Sequence, residues 1–377
     1  MDPNIDTHVI VSTRRQGRFA AAYRALDEAI AAHAFPGCAL GLLVGDQVVL
    51  ADALGRFTYD ESSPAVTPET VYDIASITKI LSTTAAAMLL YQRGLLDLET
   101  PLADLLPSFV QGRAADDQAR RITLRHLLAH NSGLPGYVEF FRTAATPEAL
   151  LQACLALPVE AEPGTRAEYS DPGFILLGKA IDALTGEALA TWAQREIFQQ
   201  LGLASTCFSP PPAMRATIPP TEEDTTFRHR RIQGEVQDEN AWLLGGAAGH
   251  AGLFSNVADL LRFASEILSA AANSADARLF NAAIVELFAR RQGPAGSSRA
   301  LGWDTPSANS SSGSHFSPHS IGHLGFSGTS LWIDLEAGIS IVLLTNRTWP
   351  DRGGPDRKSP LIRQARPAFH NAIRRAL

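Results

Sequence analysis

Residues 74–92, IASITKILSTTAAAMLLYQ, decide both the fold and the chemistry that this sequence can support. Lys79 is the only charged residue in the stretch, apolar positions surround it on nearly every side, and Gly94 follows as a stop signal. This pattern predicts a largely buried helix. A buried ammonium without a partner costs several kcal/mol, and its usual escape is a lowered pKa. We therefore expect Lys79 to be a functional residue with a lowered pKa.

Ser76 lies three residues before Lys79, which places both side chains on one face of a helix, about 5–6 Å apart at Cβ. A neutral amine there can take the serine proton, whereas an arginine stays charged. Of the 32 basic residues only three are lysine, so a lysine at this position departs from the chain's usage. The alternative is a lysine that extends out of a half-buried helix, beside a serine that caps it.

Strand patterns occur at both ends of the chain. Near the N-terminus, residues 39–44 and 47–51 flank the turn residues Gly45-Asp46 and predict a hairpin that follows a helix over residues 18–34. Near the C-terminus, residues 330–334 and 339–345 predict a second hairpin, and a helical pattern over residues 361–375 closes the chain.

Helix-like segments fill the middle of the chain. The economical arrangement is an α/β fold of the α+β type, in which one antiparallel sheet is built from both chain ends, terminal helices flank it, and a large helical region is inserted. The predicted parts are a discontinuous sheet domain over residues 18–72 and 300–377, a mainly helical domain over residues 73–299, and an N-terminal extension over residues 1–17.

Two further segments strengthen the case for a functional site. In EYSDP, residues 168–172, Asp171 is a natural N-cap and Pro172 a natural first helical residue, which leaves Tyr169 without a structural explanation. Residues 322–329, GHLGFSGT, read as a strand with three glycines, and such glycines mark the close approach of a backbone or a ligand. A backbone N–H there could form half of an oxyanion hole.

Taken together, Ser76-Ile-Thr-Lys79, Tyr169-Ser-Asp171 and His323-Leu-Gly325 resemble, in order and spacing, the S-x-x-K, Y-x-N and K-T-G boxes of the class C β-lactamases, DD-peptidases and related carboxylesterases. The likeness extends to residues 126–134, 249–255 and 344–347 and covers roughly residues 20–375. The resemblance implies a β-lactamase/transpeptidase-like fold with the active site in a cleft between the sheet and the helical domain.

The resemblance also implies roles for individual residues. Ser76 would form the acyl-enzyme, Lys79 would accept or relay its proton, and Tyr169 would protonate the leaving group or activate the deacylating water. The backbone N–H groups of Ser76 and Phe326 would hold the oxyanion. The residues expected to contact substrate are Asp171, His323, Gly325 and Ser327. No metal or cofactor is implied.

The sequence departs from the family pattern in two boxes. His323 and Leu324 replace the lysine and threonine that bind a substrate carboxylate, and a histidine carries at most a partial charge near neutral pH. Asp171 replaces an asparagine, and an ionised aspartate cannot donate a hydrogen bond to a substrate amide. We therefore favour an ester substrate, with a D-amino-acid amide, a β-lactam or a DD-peptide as alternatives. A catalytically idle sensor or structural relative is the competing class, which the joint presence of Ser76, Lys79 and Tyr169 disfavours.

Composition limits the partners. The net charge of −7 and pI of about 5.8 leave no basic face for nucleic acid. No apolar stretch approaches the ~20 residues that cross a bilayer, and residues 1–17 do not read as a secretory signal, so we expect a cytoplasmic protein unless a leader was trimmed. Cys38, Cys154 and Cys207 are predicted to be buried free thiols. We expect a small ester or peptide-like substrate and no nucleic-acid or membrane partner, and the sequence does not indicate an oligomeric state.

Other polar residues allow two interpretations. His126 and His130 are four residues apart, but no glutamate lies between them, so core or capping roles are favoured over zinc binding. His250 lies near several glycines, and substrate contact and packing are equally compatible with its sequence. Residues 306–320 are rich in serine and predict a mobile loop that is either a substrate rim or disordered.

Overall fold

The computed structural model describes residues 17–353 and 359–377. The strands are β1 (Gly37–Val44), β2 (Gln47–Gly55), β3 (Tyr72–Asp73), β4 (Cys207–Phe208), β5 (Glu222–Asp224), β6 (Arg230–Ile232), β7 (Leu253–Ser255), β8 (Ser320–Leu324), β9 (Ser330–Asp334) and β10 (Ile339–Thr345). The α-helices are α1 (Ala20–Ala31), α2 (Ala85–Gln92), α3 (Leu102–Leu105), α4 (Leu124–Leu128), α5 (Pro147–Leu155), α6 (Asp171–Thr185), α7 (Leu189–Ala193), α8 (Gln199–Leu201), α9 (Glu239–Leu243), α10 (Val257–Ala271), α11 (Ala282–Ala289) and α12 (Ser359–Arg375).

One antiparallel sheet joins the two ends of the chain. Its strand order is β2-β1-β10-β9-β8, so the N-terminal hairpin pairs directly with the C-terminal strands. Leu40 of β1 lies opposite Leu343 of β10 in this pairing. The predicted fold class is therefore confirmed, and the bounds of β9 and β10 are those that the sequence pattern predicted.

Helices cover both faces of this sheet. On one face α1 and α12 bury an apolar layer that includes Tyr23, Trp332 and Phe369. On the other face α10 packs so closely that a Cβ on Gly41 would lie 2.5 Å from Val257. A helix from the middle of the chain thus completes the sheet layer. The division of the chain at residue 300 stays a prediction.

The segment that begins at Ile74 is not one continuous helix. It forms a 3-10 turn over Ala75–Ile77 and a π-helical segment over Lys79–Thr84 before α2 begins. Ala75 enters the turn with a φ of 48°, and its N–H donates to the carboxylate of Asp73 at 2.8 Å. A polar anchor and a left-handed residue therefore tighten the chain where the sequence pattern alone predicted a regular helix.

A small sheet, β3-β7-β4, brings a distant segment beside this turn. The Ile74 N–H donates to the Leu253 carbonyl at 3.1 Å, and the Leu253 N–H donates to Thr78 Oγ1 at 3.0 Å. Residues 249–252 consequently lie against the segment that carries Ser76. Within the part of the chain that the structure describes, no helix combines the length and the apolar character needed to cross a bilayer.

Candidate active site

Ser76 lies on the 3-10 turn, half-buried at the wall of a large cavity, and Lys79 lies behind it with no exposed surface. The Lys79 ammonium donates three hydrogen bonds. Its acceptors are Ser76 Oγ at 3.0 Å, Asp171 Oδ1 at 2.7 Å and the His250 carbonyl at 3.0 Å. The two residues therefore share one side of the chain, as their spacing predicted, and the alternative of a lysine that extends into solvent is excluded.

The expected lowering of the Lys79 pKa is wrong. Burial lowers this pKa, but attraction to Asp171 and Tyr169 outweighs burial, and the pKa lies above its ordinary value. Lys79 also lies 4.8 Å from the ring centre of Tyr169 and 5.7 Å from that of Phe174, where a cation is stabilised. The sequence pattern could not anticipate a counter-ion that is 92 residues away.

Asp171 was predicted as an N-cap and as a substrate contact. The cap of α6 is instead Ser170, whose Oγ accepts a hydrogen bond from the Gly173 N–H at 3.0 Å. Asp171 is the first residue of the helix, and its carboxylate binds Lys79 while keeping 16% of its side chain exposed. Because this carboxylate is the counter-ion of Lys79, substrate binding is no longer needed to explain it.

Tyr169 lies over the Lys79 ammonium, and its hydroxyl is buried without a hydrogen-bond partner among the described residues. Burial raises the pKa of this phenol, and the nearby Lys79 and Ser76 groups lower it only in part. The phenol is therefore close to both groups without completing a well-directed hydrogen bond to either. At neutral pH it is a proton donor.

The Gly325-Phe326 segment follows the end of β8 and faces the same cavity. A Cβ on Gly325 would lie 2.0 Å from Thr329 Oγ1 and 2.5 Å from the Ile74 carbonyl, so glycine is required there. The Phe326 N–H donates to no acceptor in the described part of the chain. This close contact places a free backbone donor next to the turn that carries Ser76, as an oxyanion hole requires.

Of the two other side chains expected to contact substrate, His323 lines the cavity and Ser327 does not. His323 lines the cavity but is only 3% exposed, and burial together with the charges of Lys79 and Arg299 holds its pKa well below the usual value. It is therefore neutral at neutral pH, which agrees with the expectation of at most a partial charge. Ser327 is buried outside the cavity lining, and its hydroxyl donates to the Asp73 carbonyl at 2.8 Å. Its hydroxyl therefore links the turn after β8 to the end of β3.

The cavity has a volume of about 1190 Å³. It brings together six of the residues singled out in the sequence: Ser76, Tyr169, Asp171, His323, Gly325 and Phe326. Five arginines also line it, and no role was predicted for any of them: Arg299, Arg347, Arg352, Arg363 and Arg366. Arginine is the chain's ordinary cation, so only tertiary contacts distinguish these five.

The remaining histidines have structural contacts. His126 forms a capping box with Thr123, and His130 Nδ1 accepts from the Ser170 N–H at 3.0 Å. Both agree with the favoured capping or core roles. His250 Nε2 lies 2.9 Å from Asp238, and the same residue offers its carbonyl to Lys79, so packing explains it.

The serine-rich loop over residues 306–320 contributes to the cavity rim. Ser310 and Ser311 line the cavity, and the Ser311 carbonyl lies 3.0 Å from His370 on α12. This loop therefore lies at the rim of the cavity, which is where the substrate-rim interpretation requires it. Of the predicted free thiols, Cys38 and Cys154 are buried and Cys207 is half-buried.

A serine and lysine in contact, a neutral tyrosine above them and a free backbone donor from an antiparallel sheet together define a serine hydrolase of the penicillin-recognising type. The chain belongs to the beta-lactamase family, whose family model matches residues 21–364. Both the predicted family and the predicted fold are thereby confirmed.

Similar proteins span several activities. An Escherichia coli (strain K12) protein named "Putative D-alanyl-D-alanine carboxypeptidase" is 30% identical over 344 residues, which cover 83% of this chain and 79% of that protein. The "N-acetylmuramyl-L-alanine amidase" of Bacillus subtilis (strain 168) is 29% identical over 347 residues, covering 83% and 77%. The solved structure "EstCE1, a hydrolase with promiscuous acyltransferase activity" matches 95% of this chain and 100% of that chain, with a TM-score of 0.72 and 23% identity, and shows the fold alone.

Proposed function

We propose that this chain hydrolyses an amide bond of the kind found in D-alanyl-D-alanine and N-acetylmuramyl-L-alanine compounds, through an acyl-enzyme on Ser76. The observation that carries the proposal is the buried network in which Lys79 Nζ lies 3.0 Å from Ser76 Oγ and 2.7 Å from Asp171 Oδ1. An amine held between a hydroxyl and a carboxylate can pass a proton from one to the other. The names of the two similar relatives support an amide substrate.

Acylation begins with Lys79 as an ammonium paired with the Asp171 carboxylate. As Ser76 Oγ attacks the carbonyl carbon, Lys79 passes one proton to Asp171 and takes the hydroxyl proton, so its own charge is unchanged. The carbonyl π bond opens to an oxyanion, which accepts hydrogen bonds from the backbone N–H groups of Ser76 and Phe326. The roles of nucleophile, proton relay and final proton acceptor thus fall to Ser76, Lys79 and Asp171.

The leaving amine needs a proton, and Tyr169 supplies it. When the tetrahedral intermediate collapses, the C–N bond breaks and the amine nitrogen takes the phenol proton. Lys79 then passes a proton to the phenolate and regains one from Asp171, which restores the resting state. A water molecule next attacks the acyl ester and gives one proton to the same relay. The bond between the acyl carbon and Ser76 Oγ then breaks, the relay returns that proton to Ser76 Oγ, and the carboxylic acid is released.

Ester hydrolysis is the second candidate, and the third motif favours it. Leu324 has no hydroxyl and His323 is neutral, so this box offers little to a substrate carboxylate. The other argument for an ester, the inability of Asp171 to donate to a substrate amide, carries less weight because Asp171 is paired with Lys79. Amide hydrolysis is therefore preferred.

The test compares four substrates: N-acetylmuramyl-L-alanine, a peptide ending in D-alanyl-D-alanine, a short-chain nitrophenyl ester, and nitrocefin. We expect turnover of at least one of the first two, which are amides. In intact-mass spectra we expect an acyl adduct on Ser76, or a phosphonate adduct after exposure to a serine-reactive phosphonate. Both should be lost in Ser76→Ala. The matched control is Ser82→Ala, which removes a buried hydroxyl of the same segment that has no hydrogen-bond partner among the described residues.

Three outcomes would contradict parts of the proposal. Ester turnover without amide turnover would favour the second candidate. An adduct that survives Ser76→Ala would remove Ser76 as the nucleophile. No adduct and no turnover with any substrate would favour the catalytically idle relative.

A further inference from the structure

Arg366 of α12 is buried behind the oxyanion segment, and among the described residues its guanidinium binds backbone carbonyls only. Its Nη2 donates to the Gly325 carbonyl at 2.7 Å and to the Thr329 carbonyl at 2.9 Å, and its Nε donates to the Gly328 carbonyl at 3.0 Å. The side chain is 5% exposed, and no carboxylate forms an ion pair with it in the described part of the chain. A buried cation without a counter-ion is costly, so packing alone is a poor explanation for it.

The Gly325 carbonyl belongs to the same peptide group as the Phe326 N–H. A cation on the oxygen of a peptide group fixes the plane of that group and draws electron density away from its N–H. Linked hydrogen bonds in a low-dielectric site polarise one another by about 10–30% per bond. The donor that faces the cavity is therefore both oriented and strengthened from the opposite side.

We propose that Arg366 is a positioning residue for the oxyanion hole, acting through the Gly325-Phe326 peptide group. The inference rests on the proposed acyl-enzyme function. Arg366 lines the cavity but donates no hydrogen bond to Ser76, and the effect proposed for it reaches the substrate through the Phe326 N–H. Arg366 therefore stabilises the charge that develops in the transition state more than it strengthens substrate binding.

The turn has hydrogen bonds of its own that do not involve Arg366. The Gly325 N–H donates to the Thr329 carbonyl at 2.8 Å, and the Gly328 N–H donates to the Gly325 carbonyl at 3.0 Å. The path of the chain is thus fixed without the guanidinium, and Arg366 adds a positive charge to a turn that is already closed. Because the turn stays closed without Arg366, a substitution of Arg366 tests the effect of its charge and not the path of the chain.

The experiment measures the carbonyl stretching frequency of the acyl-enzyme in wild type and Arg366→Met. A slowly hydrolysed ester labelled with ¹³C at its carbonyl acylates Ser76, and infrared difference spectra report how strongly the carbonyl oxygen is hydrogen-bonded. We expect a higher frequency in Arg366→Met. We also expect kcat to fall about 10-fold or more with little change in KM, since removing a whole oxyanion donor costs about 10²–10³.

Arg374→Met is the matched control. Arg374 lies on the same helix, donates to the His315 carbonyl at 3.0 Å and pairs with Asp334, but has no contact with the Gly325-Phe326 turn. Its loss should affect the stability of α12 while leaving the carbonyl frequency at the wild-type value. Should Arg366→Met fail to fold, Arg366→Gln provides the same measurement, because it keeps a polar group and removes the charge.

An unchanged carbonyl frequency in a folded, acylated Arg366 variant would overturn the inference, even if kcat fell. A fall of kcat and an equal frequency shift in Arg374→Met would do the same, because the effect would then belong to the helix as a whole. A wild-type protein that forms no acyl-enzyme on Ser76 would instead overturn the proposed function. The two failures are therefore distinguishable.

Discussion

Buried cations have different partners on the two walls of the cavity. The helical wall is the segment with Ser76 and Lys79 together with Asp171, and the sheet wall is the turn after β8 with the arginines packed against it. On the helical wall Lys79 is paired with the Asp171 carboxylate at 2.7 Å. On the sheet wall Arg366 binds three backbone carbonyls, and the Nε of Arg347 donates to the Phe326 carbonyl at 2.7 Å. Neither of these arginines has a carboxylate partner within the described ranges.

This difference assigns different tasks to the two walls. A paired lysine and aspartate can exchange a proton without changing the charge of the site, which suits acid–base chemistry. Unpaired arginines create a positive field, which suits an oxyanion or an acidic substrate group. Arg352 serves as an internal reference, because Glu222 and Glu239 bind it in the same cavity. The predictions below test whether each wall has the task assigned to it.

The largest expected effect is on the helical wall, in Lys79→Arg. The charge and the pairing with Asp171 are kept, but arginine does not release a proton, so the relay stops. We expect the acylation rate to fall about 10²–10⁴-fold. Stopped-flow measurement with a nitrophenyl ester reports this rate directly.

Lys179→Arg is the control for that substitution. Lys179 pairs with Asp182 on α6, and 39% of its side chain is exposed, so the same change there should leave acylation unaltered. Near-normal acylation in Lys79→Arg would make Lys79 a structural cation and would remove the distinction between the two walls.

The next effect concerns the counter-ion, in Asp171→Asn. Asp171 holds the pKa of Lys79 above its ordinary value, so in wild type the lysine does not titrate near neutral pH. Without that carboxylate, burial lowers the lysine pKa, and the amine must lose its proton before it can accept one from Ser76. We expect kcat/KM to be about 10²-fold below wild type at pH 5–6 and to recover as pH rises.

Measurement of kcat/KM between pH 5 and 10 tests this expectation, and Asp171→Glu is the control that keeps the carboxylate. The rise with pH should be absent in Asp171→Glu. A profile in Asp171→Asn parallel to that of the wild type would show that Asp171 takes no part in setting the protonation state of Lys79.

The sequence predicted the sheet well because its strands are local patterns. Residues 330–334 and 339–345 are apolar runs separated by a glycine-containing turn, and the structure has strands with those bounds. The segment after Ile74 was harder to predict. Its break depends on a contact between the Ala75 N–H and the Asp73 carboxylate, which apolar periodicity does not register.

In the site, too, local features were predicted and long-range contacts were not. Ser76 and Lys79 were found because their spacing is local and a lone lysine is conspicuous in an apolar segment. The Lys79–Asp171 pair joins residues 92 positions apart, and Arg366 reaches the oxyanion turn from a helix 41 positions beyond Gly325. No regular sequence spacing indicates such contacts, so neither was predicted. The predicted protonation state of Lys79 was wrong because its counter-ion was not predicted.

A smaller effect is expected on the sheet wall, in Arg347→Met. Arg347 is buried beside the Phe326 ring, and burial and the charges of Arg352 and Arg363 lower its pKa to about 10, so it stays charged at neutral pH. A charge-assisted hydrogen bond is worth about 1.5–3 kcal/mol. We expect the ratio of kcat/KM for a carboxylate-bearing substrate over its methyl ester to fall roughly 10- to 100-fold.

The measurement is that ratio in wild type, Arg347→Met and Arg347→Lys. The lysine variant keeps a charge and should retain part of the preference. Equal losses for the acidic and the neutral substrate would mean that Arg347 only supports the Phe326 segment, and that the positive field of the sheet wall does not select substrates.

The smallest effect is expected in His323→Gln, on β8. His323 stands in the third motif where the family pattern has the lysine that binds a substrate carboxylate. Burial, with the charges of Lys79 and Arg299, holds the pKa of His323 well below its usual value of 6.5, so the ring is neutral at pH 6.5 and above. Exchange of a neutral imidazole for a neutral amide then leaves the charge of the cavity unchanged. We expect the ratio of kcat/KM for the acidic substrate over its methyl ester to change by less than about 2-fold, with no step in that pH range. A ratio that falls between pH 6 and 7 in wild type and becomes level in His323→Gln would contradict this expectation. It would show that protonated His323 is the cation that binds the substrate carboxylate.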